Sequence, residues 1–315
     1  MSSVLSAKHF HDEEAAYEFL EARVWPNGPV CPHCGGVDRI SKMQGKSTRI
    51  GAYKCYQCRN KFTVKVGTVF ESSHVKLHLW LQAVALLTSS KKGISANQLH
   101  RTLAVTLKTA WFMAHRIREA MRDGSLAPMG GNGGIVEMDE TYHGKVAVPR
   151  DVTTSGRPYT KSGKSGPANK RAIVSLVERG GKVRSFHVEH ADKSTINKIA
   201  TENLAREARV HTDESSLYND IASIAASHDA VKHRAGEYVR GEVHTNTVEN
   251  VFSVFKRGMR GTYQHCAEKH LHRYLAEFDF RYNNRVALGV NDEARADSAL
   301  KGIVGKRLTY RTANN

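Results

Sequence analysis

Three short segments place acidic residues where they could hold divalent cations. The first, Gly134–Tyr142 (GIVEMDETY), reads as a strand. Strand alternation puts Asp139 on one face with Glu137 and Thr141, and Val136, Met138 and Glu140 on the other. The second, residues 208–213 (ARVHTD), is a short β-type run that ends on Asp213. The third runs from His244 through Asn246 and Glu249 to Lys256 and Arg257 with helical spacing. There Val248, Val251, Phe252 and Phe255 form an apolar stripe, and Glu249 and Lys256 lie together beside it. Carboxylates on two strands and one helix can hold two divalent ions about 4 Å apart, which serve the attacking and leaving oxygens of an in-line phosphoryl displacement. Hard oxygen donors select Mg²⁺ or Mn²⁺ over zinc. On spacing alone, solvated acids at strand ends explain the three segments equally well.

The cysteines carry a second chemistry. Cys31-Pro32-His33-Cys34 and Cys55-Tyr56-Gln57-Cys58 are two Cys-x-x-Cys pairs separated by 20 residues. That spacing suits a tetrahedral four-thiolate zinc site, which leaves no open position for water and is therefore structural. The fifth cysteine, Cys266, stands alone. An odd count, behind an N-terminus without the apolar core of a secretory signal, argues against a disulfide scaffold and for an intracellular chain.

These residues must be positioned by about two domains, given 315 residues. Residues 11–24 read as a helix, residues 31–70 as short strands around the cysteines, and residues 75–123 as helical. Ser95 and Thr106 have the spacing of helix N-caps on either side of a break at Ala104-Val105. The pair resembles a helix-turn-helix whose second helix carries Lys108 and Arg118 off its apolar stripe, free to meet DNA. A Gly-rich linker, residues 128–134, precedes strands over 135–146, 172–178 and 183–189, a helix over 194–208 and a strand over 209–213. A helical stretch then runs to about residue 227, with a last strand near 237–240 and a helix over 247–257. Asn246 fits the cap of that helix. The order predicts a mixed α/β domain.

Lys and Arg exceed Asp and Glu by 47 to 31, a formal charge of +16. Such a surplus favours a polyanionic partner, nucleic acid first. A basic loop over 145–171, with Lys161 and Lys164, could follow a phosphate backbone, and Arg257 and Arg260 extend the basic surface. No apolar stretch is long enough to span a bilayer.

The stretches VCPHCGG, YKCYQCRNKFTVKVGTVFE, GGIVEMDETYHGKV, VHTDESSLY and VHTNTVENVFSVFKRGMRGTYQHCAEKHLHRYLAEFDFRYNNR together resemble the ISXO-like insertion-sequence transposases of bacteria. The resemblance implies a zinc ribbon joined to a DDE, ribonuclease-H-like catalytic domain. It implies Asp139, Asp213 and Glu249 as Mg²⁺ or Mn²⁺ ligands and Lys256 as the basic residue that follows. Between Asp213 and Glu249 lie 35 residues, the interval the family shows. Some members carry Asn as the third ligand, which makes Asn246 the alternative.

The expected organisation is an N-terminal helix (1–30), a zinc ribbon (31–70), a helical DNA-binding segment (71–128), the catalytic domain (129–290) and a polar C-terminal tail (291–315). The expected protein is a cytoplasmic, nucleoid-associated DNA transposase. It binds terminal inverted repeats and target DNA, as a homo-oligomer when on DNA, without a membrane partner. The alternatives are a non-enzymatic zinc-ribbon regulator and a ribonuclease-H-like nuclease that cleaves without joining.

Overall fold

The computed structural model describes residues 4–122, 124, 127–148 and 169–309. The chain divides into two compact units, residues 1–123 with 289–315, and residues 124–288.

The first unit opens with helix α1 (Glu13–Val24), whose N-cap Asp12 accepts from the Ala15 N–H. A three-stranded antiparallel sheet follows, β1 (Ile40–Lys42), β2 (Tyr53–Cys55) and β3 (Lys61–Phe62). Its small core joins Cys31, Cys55, Tyr53 and Phe62, with Trp25 packed against them. Then come α2 (Leu77–Ser89), α3 (Ala96–Leu103) and α4 (Leu107–Ala120). Ser95 caps α3 and Thr106 caps α4 as the spacing predicted, and Ala104 takes a left-handed turn between them at φ 51°.

The second unit is built on a five-stranded mixed sheet. Its strands are β4 (Ile135–Lys145), β5 (Lys170–Glu178), β6 (Val183–Val188), β7 (Arg209–Asp213) and β8 (Ser227–Val231), in the order β6-β5-β4-β7-β8. The β4–β5–β6 part is antiparallel; β7 and β8 run parallel to β4. This is the mixed sheet of a ribonuclease-H-like α/β fold. Helix α5 (Lys193–Asn203) connects β6 to β7 and packs Ile196, Ile199 and Ala200 on one face, against Val136, Met138, Val174 and Leu176. Helices α6 (Asn246–Gly258) and α7 (Leu271–Asn283) cover the other, where Val248, Val251, Phe252 and Phe255 meet Ile173, Val177, Tyr274 and Phe278. Tyr274 and Phe278 are thus core residues.

Three expectations change. The last strand lies at 227–231; residues 237–240 form a loop closed by the Arg240–Val243 bridge, because β8 can pair in parallel with all five residues of β7. The stretch from 214 to 226 holds only two single 3₁₀ turns. Residues 291–315 are not merely a polar tail: α8 (Asp292–Lys301) packs on α2 and belongs to the first unit. Arg23 pairs with Asp297 at 2.7 Å, and Gly302 lies so close to α4 that a Cβ there would stand 2.1 Å from the Ala120 carbonyl oxygen. Among the described residues no helix is long and apolar enough to cross a membrane.

One buried carboxylate fixes α6 against the sheet. Glu137 of β4 is fully buried. Its Oε2 accepts from the backbone N–H groups of Thr247 (2.7 Å) and Val248 (3.0 Å), and its Oε1 from the Thr247 hydroxyl at 2.8 Å. Arg179, just after β5, donates to Oε1 at 2.7 Å and to the carbonyls of Glu242 and His244. The acid satisfies N–H groups that the first helical turn leaves without partners, and its charge suits the helix dipole. Removing one member of a buried ion pair strands the other, so Glu137→Ala should cost about 3–5 kcal/mol. All three tryptophans lie before residue 112, so the loss is best read as hydrogen-exchange protection in peptides from α6. A loss below about 1 kcal/mol, the net value of an ordinary hydrogen bond, would contradict the role.

Candidate active site and metal centres

Asp139 lies on β4 two residues beyond Glu137–His211, the last couple that pairs β4 with β7. Asp213 closes β7, also two residues beyond that couple. In parallel strands this equal offset turns both side chains to one face, the side where Glu137 meets α6. Glu249 sits one turn into α6 and Lys256 two turns further. Asp139, Glu140 and Glu249 line an open cavity of about 390 Å³ together with Lys256, Arg257 and Arg260. Asp213 is not among its lining residues, yet its charge is felt there.

Burial pushes the Asp139 carboxyl well above the ordinary carboxylate range, and the charges of Glu140, Asp213 and Glu249 push it further. The Glu140 N–H, which donates to Asp139 Oδ1 at 2.8 Å, opposes the shift. Burial lowers the Lys256 ammonium, although Asp139 works against this. His143, on the same face of β4, falls to about 4 through burial and the nearby Arg171, Arg260 and Lys256, so it is neutral beside them. A convergence of acids that raises its own pKa is the electrostatic complement of a cation, and its hard oxygen donors fit Mg²⁺ or Mn²⁺.

Glu249 is exposed, accepts from the buried Thr245 hydroxyl at 2.9 Å and lies 3.8 Å from His233 Nε2. Asn246 does not cap α6: it is the first helical residue, it is exposed, and Thr245 takes the cap position. Glu137 does the capping from the sheet, which frees the local side chains of that task. A carboxylate among apolar neighbours on β4 was the available signal for this role; nothing in the sequence singled out Arg179, or Tyr218, whose hydroxyl donates to Glu140.

Among the basic residues, Lys108 is exposed at the start of α4, and Arg257 and Arg260 are exposed at the cavity. Arg118 is a correction: it is only 2% exposed. Helix α4 packs against α2, α3 and α8, so the face expected to be solvated is closed at Arg118. Lys161 and Lys164 lie outside the described residues.

The four cysteine sulfurs lie within 4.8 Å of one another, with Cys31–Cys58 at 3.6 Å and Cys34–Cys55 at 3.8 Å. Thiolates bound tetrahedrally to zinc at ~2.3 Å stand about 3.8 Å apart. The cluster therefore fits a four-thiolate zinc site. Cys266 lies apart from it, half-buried beside the α6–α7 core.

The family model of the ISXO2-like transposase domain matches residues 132–283, and that of the transposase zinc-ribbon domain matches residues 11–61. Together the two matches cover more than half of the chain, which carries an ISXO2-like transposase domain behind a transposase zinc-ribbon domain. The chain is 29% identical over 283 residues to an uncharacterized protein in transposable element ISH50 of Halobacterium salinarum, covering 88% of this chain and 93% of that protein. Among solved structures the chain is only loosely similar to the pre-cleavage Mos1 transpososome, at 9% identity and a TM-score of 0.20 over 66% of this chain and 77% of that one.

Two outcomes follow. Purified protein should hold about one zinc per chain, and Cys55→Ser should unfold the ribbon while the second unit stays folded, because structural zinc supplies folding free energy directly. Metal analysis that finds no zinc would contradict this. For Asp139 the folded pKa is raised, so its contribution to stability is complete below the ordinary carboxylate range and is lost as pH rises through the raised value. Without added divalent cation, the thermal midpoint of the wild type should therefore fall more than that of Asp139→Asn as pH rises upward from the ordinary carboxylate range. Equal pH dependence in calorimetry would remove Asp139 from the strained cluster.

Proposed function

We propose that the chain is a DDE-type transposase that binds the ends of its insertion sequence and moves them by metal-dependent hydrolysis and strand transfer. The supporting observation is that Asp139 of β4 and Glu249 of α6 line one cavity with Lys256, Arg257 and Arg260, while Asp213, at the end of β7, acts on Asp139 through its charge. Asp139 and Asp213 hold the cations from the sheet side, and Glu249 completes the donor set from α6. Two Mg²⁺ or Mn²⁺ ions, when bound, supply Lewis-acid polarisation of the scissile phosphate and a competent nucleophile at neutral pH. Lys256, Arg257 and Arg260 hold the DNA backbone over the acids. First a water and then the freed 3′-hydroxyl occupies the attacking position, so one constellation serves both displacements.

The zinc ribbon and the exposed start of α4, with Lys108, grip the element ends, and the basic loop that includes Lys161 and Lys164 adds phosphate contacts. A homo-oligomer brings the two ends together. Glu249 is preferred to Asn246 as third ligand because Glu249 lines the cavity and carries full charge, whereas Asn246 does neither.

The test uses the purified full chain, DNA carrying the element's inverted repeats, and Mg²⁺. Asp139→Asn, Asp213→Asn and Glu249→Gln should each lower cleavage and joining by orders of magnitude and leave DNA binding intact. Asn246→Ala should stay close to wild type in activity and thermal midpoint. If Asn246→Ala is inactive while Glu249→Gln cleaves, the third ligand is reversed. Cleaved but unjoined products from the wild type would mark a nuclease.

A further inference from the structure

We infer that Tyr218 and Glu140 are a positioning pair that presets the separation of Asp139 and Asp213. This inference rests on the reading of those two acids as the metal-holding groups.

The ladder between β4 and β7 ends at Glu137–His211. Among the described residues, backbone pairing therefore does not set the distance between the two strand ends that carry the aspartates. A side-chain path does. Asp139 Oδ1 accepts from the Glu140 N–H at 2.8 Å, and the Glu140 carboxylate accepts from the Tyr218 hydroxyl. Tyr218 N–H donates to the Ser215 carbonyl at 3.2 Å, and Ser215 N–H donates to Asp213 Oδ1 at 3.0 Å. The path runs from one aspartate to the other.

The anchor is rigid. Tyr218 is fully buried among Val136, Met138 and Ile221, and Glu140 is the polar group its hydroxyl meets. Glu140 faces away from Asp139 in the strand alternation yet still lines the cavity. Held by Tyr218, it stays beside the cations' place without taking a donor position. Partners behind the direct ligands commonly tune metal affinity in this way.

The experiment follows binding of Mn²⁺ alone, as the rise in thermal midpoint with Mn²⁺ concentration, in the full-length zinc-loaded protein, alongside cleavage of inverted-repeat DNA. Tyr218→Phe keeps the ring and removes the hydroxyl. It should raise the half-saturating Mn²⁺ about tenfold or more in both readouts, while the rate at saturating Mn²⁺ stays within about threefold of wild type. Glu140→Gln keeps an oxygen that can accept from Tyr218 but loses a charge at the cavity, so it should raise the half-saturating Mn²⁺ less than Tyr218→Phe does. Unchanged Mn²⁺ dependence in Tyr218→Phe would overturn the pair, as would loss of its activity at every Mn²⁺ concentration. Inactivity of Glu140→Gln comparable to Asp139→Asn would make Glu140 a ligand and also overturn it. A wild type whose midpoint ignores Mn²⁺ would overturn the metal-site reading itself, a result distinct from a responsive wild type with an indifferent Tyr218→Phe.

Discussion

The Glu137 carboxylate is the constraint on which the site depends. An α-helix that begins inside a protein brings N–H groups needing acceptors, and the sheet supplies one from a single buried side chain. The same acid lies two residues before Asp139 on one face of β4, about 7 Å along the strand. Thr247, which it holds, lies two residues before Glu249. A single set of bonds thus fixes the helix that carries one acid against the strand that carries another. Arg179 neutralises the buried charge and ties in the carbonyls of Glu242 and His244, so the loop leading into α6 is held by the same centre.

Around that anchor the site is built against its own electrostatics. Asp139 has its carboxyl driven upward by burial and by three neighbouring acids, while Lys256, Arg257 and Arg260 line the same space from α6 and its continuation. Acids and cations are kept distinct along the helix: Glu249 stands in its first turns, and Lys256 and Arg257 in its last. That order agrees with the helix dipole at both ends. It also sets carboxylate oxygens and a basic surface side by side along one helix.

Much of this could be read from residue spacing. The two Cys-x-x-Cys pairs, the alternation around Asp139, the apolar stripe of α6 and the caps at Ser95 and Thr106 are local patterns, set by short-range geometry. The parts that escaped depend on partners distant in sequence. Arg118 has the polar identity of a solvated residue, but three other helices close around α4. Asn246 has the identity of a cap, but an acid more than a hundred residues earlier performs that function. Residues 292–301 lack a strong apolar pattern, and their docking relies on Arg23 and on the closeness of Gly302 to α4. Strand β8 carries His228 and Asp229 in place of an apolar run, because an edge strand needs to bury little.

The most direct measurement is anomalous diffraction from crystals of the zinc-loaded protein soaked in Mn²⁺. The account predicts manganese density bridging Asp139 and Asp213, with Glu249 on the α6 side, and a separate zinc peak among Cys31, Cys34, Cys55 and Cys58. Manganese that avoids both aspartates, or density held by Asn246 in place of Glu249, would contradict it.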